Sequence, residues 1–343
     1  MPLVFLGGST PIDSYLLELT IWTGDKVNDL PSQPTYTITK ENTAQSTSTD
    51  NVDVARLIDD FIAPVRNVQN TTGIINGLNT VWVRYRTVLN FGNSIEVNQD
   101  VTTTAVKGYA YGNEGKNFQT GKRILLDGDE FDAHKDSLFL IPFTRDENTE
   151  TGITVTGFPS GNQIYLNNNL VGSTNTQGVV SIFNIDCSEA TGDERIDVNL
   201  PLGFTKNRIY IYLREECKHT PYDVTFINRY GHEQNITFFK ERTDTVNVES
   251  ESYERSFGQP SGGVHQFVDF NTNAKQTITL STGYLEEGIN ESIKQLLLSE
   301  RIWIGSDPVN IKTKSQTLQT RNNNRLISYT IEFEYSYNLI NTI

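Results

Sequence analysis

The chain has 343 residues, enough for more than one hydrophobic core, and a formal net charge of −14. Excess negative charge is unfavourable next to phosphates, so we expect no direct nucleic-acid partner and no binding to anionic membranes. Hydrophobic residues make up 36% and aromatic residues 10% of the chain, and this mixture, rich also in Asn, Thr and Ser, favours β-structure with polar outer faces.

The first part of the chain is predicted to form strands around one helix. Alternating or apolar-rich segments predict strands at residues 15–22, 35–39, 81–91, 102–111 and 137–143. The polar residues 41–51 are expected to form a loop. Residues 113–136 are rich in Gly, Lys and Asp, and we expect an exposed excursion there.

The one helix of this part is predicted after residue 51. Its apolar residues recur at helical spacing: Val52, Leu57, Ile58, Phe61 and Ile62. Asp50 or Asn51 is the expected N-cap, because a short polar side chain satisfies free backbone N–H groups there. Pro64 is the expected stop, because its ring clashes with the preceding helical turn.

The character of the sequence changes near residue 146. From residue 152 to residue 186, short strands are predicted between Gly and Asn, at residues 153–155, 163–166 and 179–183. We therefore predict three domains: a β-rich domain with one helix at residues 1–145, a small all-β, immunoglobulin-like module at 146–204, and a C-terminal β domain at 205–343.

The C-terminal domain is predicted to combine strands with one amphipathic helix. A hairpin is expected around Arg229-Tyr-Gly-His232. The other strands are predicted at residues 208–214, 241–256, 276–280, 301–304 and 309–313. Ile289, Ile293, Leu296 and Leu297 recur at helical spacing and predict the helix.

The most regular pattern in the chain is its last strand, predicted from residue 326 to residue 337. Its apolar residues alternate with Ser, Thr and Glu: Ile327, Tyr329, Ile331, Phe333, Tyr335 and Tyr337. At roughly 3.3 Å per residue this strand would extend about 40 Å. The fold class is therefore predicted to be mainly β, a multi-domain antiparallel β-sandwich or barrel with a few short helices.

Patterns that support catalysis or metal binding are weak. The acidic segment from Asp127 to Asp132 resembles a calcium loop, but Gly128 is second rather than sixth and Phe131 occupies a ligand position, so a solvated acidic turn is favoured. There is no nucleophile elbow, phosphate-binding loop or dinucleotide motif. We predict no catalytic, cofactor-binding or metal-ligating residues.

The cysteines and histidines do not have the spacing of a known site. His134, His219, His232 and His265 lack the i, i+4 pairing of a helical zinc site, and Cys217-Lys-His219 has no further ligands nearby in the sequence. On one strand, Cys217 and His219 would lie about 7 Å apart, too far for a nucleophile and its base. Whether Cys187 and Cys217 form a disulfide is left open.

Several segments between residues 205 and 343 resemble virion structural proteins of phages that infect Bacteroidetes. They are the hairpin segment CKHTPYDVTFINRYGHEQNITFFK (217–240), TLSTGYLEE (279–287), KQLLLSERIW (294–303) and LISYTIEFEY (326–335). The helix beside long, one-faced strands is also similar to tail-tube and distal-tail proteins, which assemble as cyclic rings. The first 200 residues match the family only in general character.

The resemblance implies a non-enzymatic component of the tail, baseplate or neck. The implied partners are further copies of the chain, in a closed ring of six or twelve, and other tail, baseplate or neck proteins. We expect a virion location after assembly in the host cytoplasm, because residues 1–8 (MPLVFLGG) lack the basic start of a secretory signal. No apolar run approaches the about 20 residues that span a bilayer, so no membrane insertion is expected.

Two alternative functions remain open. The first is a receptor- or glycan-binding virion protein whose 146–204 module is the binding tip, with Tyr165 and Phe183 as contacts if they are exposed. The second is a hydrolase of cell-wall or capsular sugars, whose two carboxylates would be placed by the fold and not by spacing. Tyr109 and Tyr111 could stack on a sugar, or pack across strands.

Overall fold

The computed structural model describes residues 3–6, 12–41, 50–66, 71–76, 79–92, 94–114, 124–144, 153–158, 161–164, 180–190, 195–200, 208–216, 218–255, 263, 265–318 and 326–340. The fold is mainly β, as predicted. The chain divides into two compact units. One contains Met1–Leu213 and Ile227–Gln234; the other contains Arg214–Phe226 and Asn235–Ile343.

Fourteen strands and a short helix precede residue 215 within the described ranges. The helix, α1, is Ala55–Asp59. The strands are β1 (Leu3–Leu6), β2 (Ser14–Trp22), β3 (Tyr36–Glu41), β4 (Asp50–Asp53), β5 (Gly73–Asn76), β6 (Thr80–Asn90), β7 (Ile95–Val106), β8 (Glu130–His134), β9 (Leu138–Thr144), β10 (Thr154–Phe158), β11 (Gly161–Ile164), β12 (Val180–Asp186), β13 (Arg195–Asn199) and β14 (Arg208–Arg214).

Seven strands and one longer helix follow. The helix, α2, is Asn290–Leu298. The strands are β15 (Tyr222–Ile227), β16 (Glu233–Phe238), β17 (Arg242–Glu254), β18 (Phe267–Glu286), β19 (Ile302–Ile304), β20 (Asp307–Ile311) and β21 (Leu326–Tyr335). Short 3-10 turns lie at Gly112–Glu114, Cys187–Glu189 and Glu287–Ile289.

The first unit has two main hydrophobic cores. A four-stranded sheet in the order β3-β2-β6-β7 packs one face against α1, where Leu17, Leu19, Val83 and Ile58 are buried. A second core is shared by the five-stranded sheet β11-β10-β13-β14-β8 and the three-stranded sheet β5-β12-β9. Among the described residues no sheet closes on itself, so each sheet keeps two edges.

The strands of the predicted 146–204 module contribute to the second of these cores. Val155, Phe183 and Val198 lie in the same buried cluster as Phe139 on β9 and Ile211 on β14. The described part of the module therefore shares its apolar core with strands that come before and after it in the chain. The three-domain division itself stays a prediction.

The second unit is built on a seven-stranded sheet in the order β16-β15-β19-β20-β21-β18-β17. Helix α2 buries Ile293 and Leu296 in one cluster with Ile327 and Ile331 of β21. The helix and the last strand thus belong to one core. The Tyr329 hydroxyl also contacts the Asn290 side chain at the start of α2.

Several predicted boundaries are wrong: the strand predicted at 102–111 is β7 at Ile95–Val106, and the strand predicted at 276–280 is the longer β18. Three further differences have a physical reason. The predicted helix is only five residues long, because Asp50–Asp53 pairs with β1 instead of capping it. The predicted excursion at 113–136 includes buried residues Ile124–Leu126 and strand β8, which complete an apolar core. The last strand ends at Tyr335, and Tyr337 is 46% exposed beyond the sheet.

Helix α2 offers a matched test of this core. Replacing the fully buried Leu296 with Ala should lower the free energy of unfolding by about 2–5 kcal/mol, because it removes apolar contacts and leaves a cavity. The same change at Leu298, which is 53% exposed on the same helix, should cost less than about 1 kcal/mol. Chemical denaturation of both variants measures this, and equal losses would contradict the assigned core.

Candidate functional site

The outer edge of β17 is the longest exposed strand edge in the described part of the chain. Every residue of β17 after Arg242 is exposed. On its other side β17 pairs with β18 from Arg242↔Leu280 to Glu254↔Phe267. An edge of this kind presents unpaired backbone N–H and C=O groups that can bind another strand.

Strands β17 and β18 continue as a two-stranded ribbon beyond the rest of the sheet. Strand β21 pairs with β18 only from Thr277 to Glu286. The distal ribbon is defined here as residues 246–254 of β17 and 267–276 of β18. No further strand pairs with these residues in the described structure.

The last described residues of the chain contact the β18 side of this ribbon at Asn273 and Ala274. The Leu339 N–H donates to the Ala274 carbonyl at 2.8 Å. The Asn273 side chain donates to the Ile340 carbonyl at 3.0 Å and accepts from the Ile340 N–H at 3.2 Å. The distal ribbon therefore has one partly covered edge, on β18 at Asn273 and Ala274, and one uncovered edge, on β17.

The distal ribbon combines exposed apolar side chains with carboxylates. Val246 and Val248 are 53% and 63% exposed, and the rings of Tyr253 and Phe270 meet edge to face at 5.8 Å. β17 also carries Glu249, Glu251 and Glu254, all exposed, but no Lys and no Pro, the residues that often guard free edges.

The proximal end of β17 is fixed by Arg242. Its guanidinium donates to Asp244 at 2.8 and 3.0 Å and to the Tyr222 hydroxyl at 2.7 Å. The hydrogen bond to Asp244 is the main cause that raises the pKa of Arg242 above its usual range. These hydrogen bonds hold the first residues of β17 in place, where the strand is still part of the sheet.

Strand β7 forms a second long edge, in the first unit. It is the outer strand of the four-stranded sheet, and Ile95 and Val97 are 73% and 49% exposed. Of its two carboxylates, Asp100 accepts two hydrogen bonds from Arg84, at 2.6 and 2.7 Å. β7 also lacks Lys and Pro, but it is less acidic than β17.

A polar cluster in the first unit holds the turn between β15 and β16. Arg229, with only 6% of its side chain exposed, donates to both carboxylate oxygens of Glu114 at 2.7 and 2.8 Å. Its guanidinium lies over the Tyr111 ring at 4.5 Å, and the Tyr230 hydroxyl donates to Asp127 at 2.7 Å. The Arg229 hydrogen bond lowers the pKa of Glu114, and burial raises that of Tyr230.

The backbone of this turn fits closely against residues 107–109. Gly231 has φ of +79°, and a Cβ there would lie 2.9 Å from the Lys107 carbonyl carbon. A Cβ on Gly108 would lie 2.6 Å from the Arg229 carbonyl oxygen, and that oxygen accepts the Tyr109 N–H at 2.8 Å. Only glycines permit this approach.

A cavity of roughly 510 Å³ lies beside the turn. Its wall includes apolar side chains of Ile58, Ile62 and Leu125, and charged side chains of Arg56 and Asp59. Asp59 accepts from Lys107 at 3.1 Å. The volume suits a small ligand, but the polar groups around Arg229 are engaged with one another, which is typical of a structural network.

The acidic segment considered as a calcium loop is part of this network. Asp127 binds the Tyr230 hydroxyl and lies 3.9 Å from Arg229, while Phe131 packs in an apolar core. Within the described ranges, no group of three or more His, Cys, Asp and Glu side chains is arranged to hold a metal ion. Sequence reasoning missed Arg229 and Glu114, which are 115 residues apart.

The aromatic glycan candidates are in packed positions or outside the described residues. Tyr109 and Tyr111 meet edge to face at 5.9 Å, and both are partly buried. Phe183 is fully buried, so it cannot contact a glycan. Tyr165 lies outside the described residues, as does Cys217, so neither the Cys217–His219 pair nor the Cys187–Cys217 disulfide is tested; Cys187 is buried.

His232, at the end of the turn, is the most unusual titratable group. It is fully buried, and neither ring nitrogen has a hydrogen-bond partner among the described residues. Burial lowers its pKa to about 4, because an imidazolium is poorly solvated in an apolar environment.

No described helix is both long and apolar enough to cross a bilayer. No model of a known protein family matches the chain, and no curated protein sequence matches it.

The close approach at Gly231 predicts the effect of a single methyl group. Gly231→Ala should lower the free energy of unfolding by more than about 1 kcal/mol, because it combines positive φ with a backbone clash. Gly112→Ala is the control, since its Cβ would meet nothing within 4 Å. Thermal or chemical denaturation compares the two, and equal stability would contradict the described turn.

The lowered pKa of His232 predicts loss of stability in acid. Above pH about 6.5 the imidazole is neutral in both folded and unfolded chains. As the pH falls from about 6.5 to 4, only the unfolded chain takes up the proton, so stability falls by up to about 1.4 kcal/mol per pH unit.

His232→Gln should therefore flatten the dependence of unfolding free energy on pH between 7 and 4. The exposed His265 provides the control, and His265→Gln should keep the wild-type slope. Denaturant titrations at pH 7, 6, 5 and 4 measure the slopes. A wild-type slope retained by His232→Gln would show that this imidazole does not contribute.

Proposed function

We propose that this protein is a non-enzymatic structural component of a phage virion, in the tail, baseplate or neck, and that it assembles with copies of itself into a cyclic ring. The observation that carries the proposal is the pair of long exposed strand edges, β7 and β17. Such edges are a liability in a monomer and a binding surface in an assembly.

The two edges have the properties of surfaces that become covered. Ile95 and Val97 on β7, and Val246 and Val248 on β17, are aliphatic, exposed and β-branched. β-branched residues suit strand pairing, and no Lys or Pro interrupts either strand. In a closed ring, each edge that pairs with a neighbour is removed from solvent.

The resemblance to phage structural proteins adds support from the second unit. The segments that carry it contribute Phe226, Leu280, Leu296 and Ile331 to a single core. All four segments thus contribute to one core, although residues 227–234 of the first segment belong to the other compact unit.

The less acidic edge, β7, is proposed as the contact between copies. Antiparallel pairing of two β7 strands, or of β7 with another edge of a neighbouring copy, would cover Ile95 and Val97 without bringing many carboxylates together. Strand addition of this kind gains affinity from backbone hydrogen bonds and specificity from alternate side chains.

The experiment is the mass of the purified full chain, by light scattering, together with electron-microscope class averages. A closed ring of six or twelve copies is expected. A compact monomer at every concentration, which also fails to join a virion assembly, would overturn the proposal.

The double variant Ile95→Lys, Val97→Lys should shift the population from rings to monomers by at least about tenfold, because lysines on a strand edge oppose pairing. The control is Thr37→Lys, Thr39→Lys, at exposed positions on β3, the opposite edge of the same sheet. Light scattering measures both, with thermal melting to verify folding. If only the control variant dissociates, the contact belongs to β3.

A further inference from the structure

We infer that the available edge of the distal ribbon, on β17, binds an extended Lys- or Arg-rich segment of a different virion protein, which pairs with β17 as an added strand. This inference rests on the proposed function and names the partner class for one of its two edges. Three observations on the ribbon carry it.

The first observation is that the β17 edge is open along its whole length, whereas the β18 edge is partly covered. On β18, the side away from β17 pairs with β21 at residues 277–286, and Leu339 and Ile340 then contact it at Ala274 and Asn273. On β17, residues 242–254 have no second partner strand within the described residues. The edge of β17 is therefore the longer uninterrupted edge that the ribbon offers to an added strand.

The second observation is the charge of β17. Glu249, Glu251 and Glu254 form no ion pair with any described residue, whereas Asp244 is paired with Arg242. The Glu254 carboxylate only accepts a hydrogen bond from the Gln266 amide, at 2.7 Å. Three uncompensated carboxylates along one edge favour a basic partner.

The same charge disfavours a second copy of β17. Antiparallel pairing of β17 with itself would place carboxylates of one strand against those of the other, and like charges opposite each other are destabilising. Nucleic acid is disfavoured for the same reason. The difference in charge therefore assigns different partners to the two edges. We propose that β7 binds another copy of the chain and that β17 binds a different virion component.

The third observation is that β17 has exposed side chains on both faces that a partner strand can contact. Val246 and Val248 lie on the face that continues the core side at Ile278, and Tyr253 lies on the opposite face with Phe270. A partner strand with alternating basic and β-branched residues can place carbon atoms against these side chains and its charges near the carboxylates.

The probe is the twelve-residue peptide KVKTKVKTKVKT, added to the full chain. Its control has Glu in place of every Lys. Hydrogen exchange of β17 amides is followed by mass spectrometry or NMR. We expect the lysine peptide to slow exchange at alternate β17 residues by at least about tenfold, since outward N–H groups become hydrogen-bonded, and binding should weaken as salt rises.

Two charge-matched variants locate the binding site. Glu249→Lys, Glu251→Lys should weaken peptide binding by at least about tenfold. Glu286→Lys, Glu287→Lys changes the net charge equally, at exposed positions near the other end of β18, and should retain wild-type affinity. If both variants weaken binding equally, the peptide responds to net charge only and the inference is overturned.

Other results also overturn it. These are peptide binding without protection of β17, protection of β7 instead, and protection of β17 in the pure oligomer before peptide is added, which assigns the edge to another copy. Ring formation is scored separately by light scattering. Rings without peptide-dependent protection reject this inference alone, whereas absence of any assembly rejects the proposed function.

Discussion

Backbone hydrogen bonding along β18 is the constraint on which the second unit depends. This strand is 20 residues long and pairs with β17 over most of its length, but with β21 only over its C-terminal half. Every backbone amide away from water needs a partner, so the remaining half of β18 either pairs elsewhere or faces solvent. The residues after β21 satisfy part of this requirement at Asn273 and Ala274.

In the first unit, the corresponding constraint is the burial of Arg229. A guanidinium with 6% of its side chain exposed is costly unless its donors are satisfied. Glu114 and Asp127 supply the opposite charges, and the rings of Tyr111 and Tyr230 supply its flat packing surfaces. The glycines at 108 and 231 then allow the backbones to approach as closely as these contacts require.

Much of the strand content follows from local pattern. The alternation of β21, the apolar run of β2 and the amphipathic spacing of α2 are each decided by which side chains can be buried, and all three are strands or helix as predicted. The short α1 was over-predicted, because the residues expected to cap it pair with β1, a partner nearly fifty residues earlier.

The candidate site was harder to predict than the fold. The sequence of β17 shows only a charged strand. Its exposed edge results from its outermost position in the sheet, and the order of strands in a sheet cannot be predicted from the sequence of one strand. The Arg229 network joins residues more than 100 positions apart, which no spacing pattern records. The sequence did not predict the full length of β18, because its distal half is largely exposed on both faces. Apolar and polar residues therefore do not alternate there.

A β-bulge interrupts the ribbon between Glu249↔Asn273 and Glu251↔Phe270. Asn271 and Thr272 lie opposite the single residue Ser250, and Asn271 has φ of +51°. A bulge increases the local right-handed twist of a strand pair. Flat sheets that stack without limit, as in fibrils, therefore do not fit this ribbon. A single strand with the same twist can still pair with it. A partner strand on this edge would therefore have to follow the local twist of the ribbon.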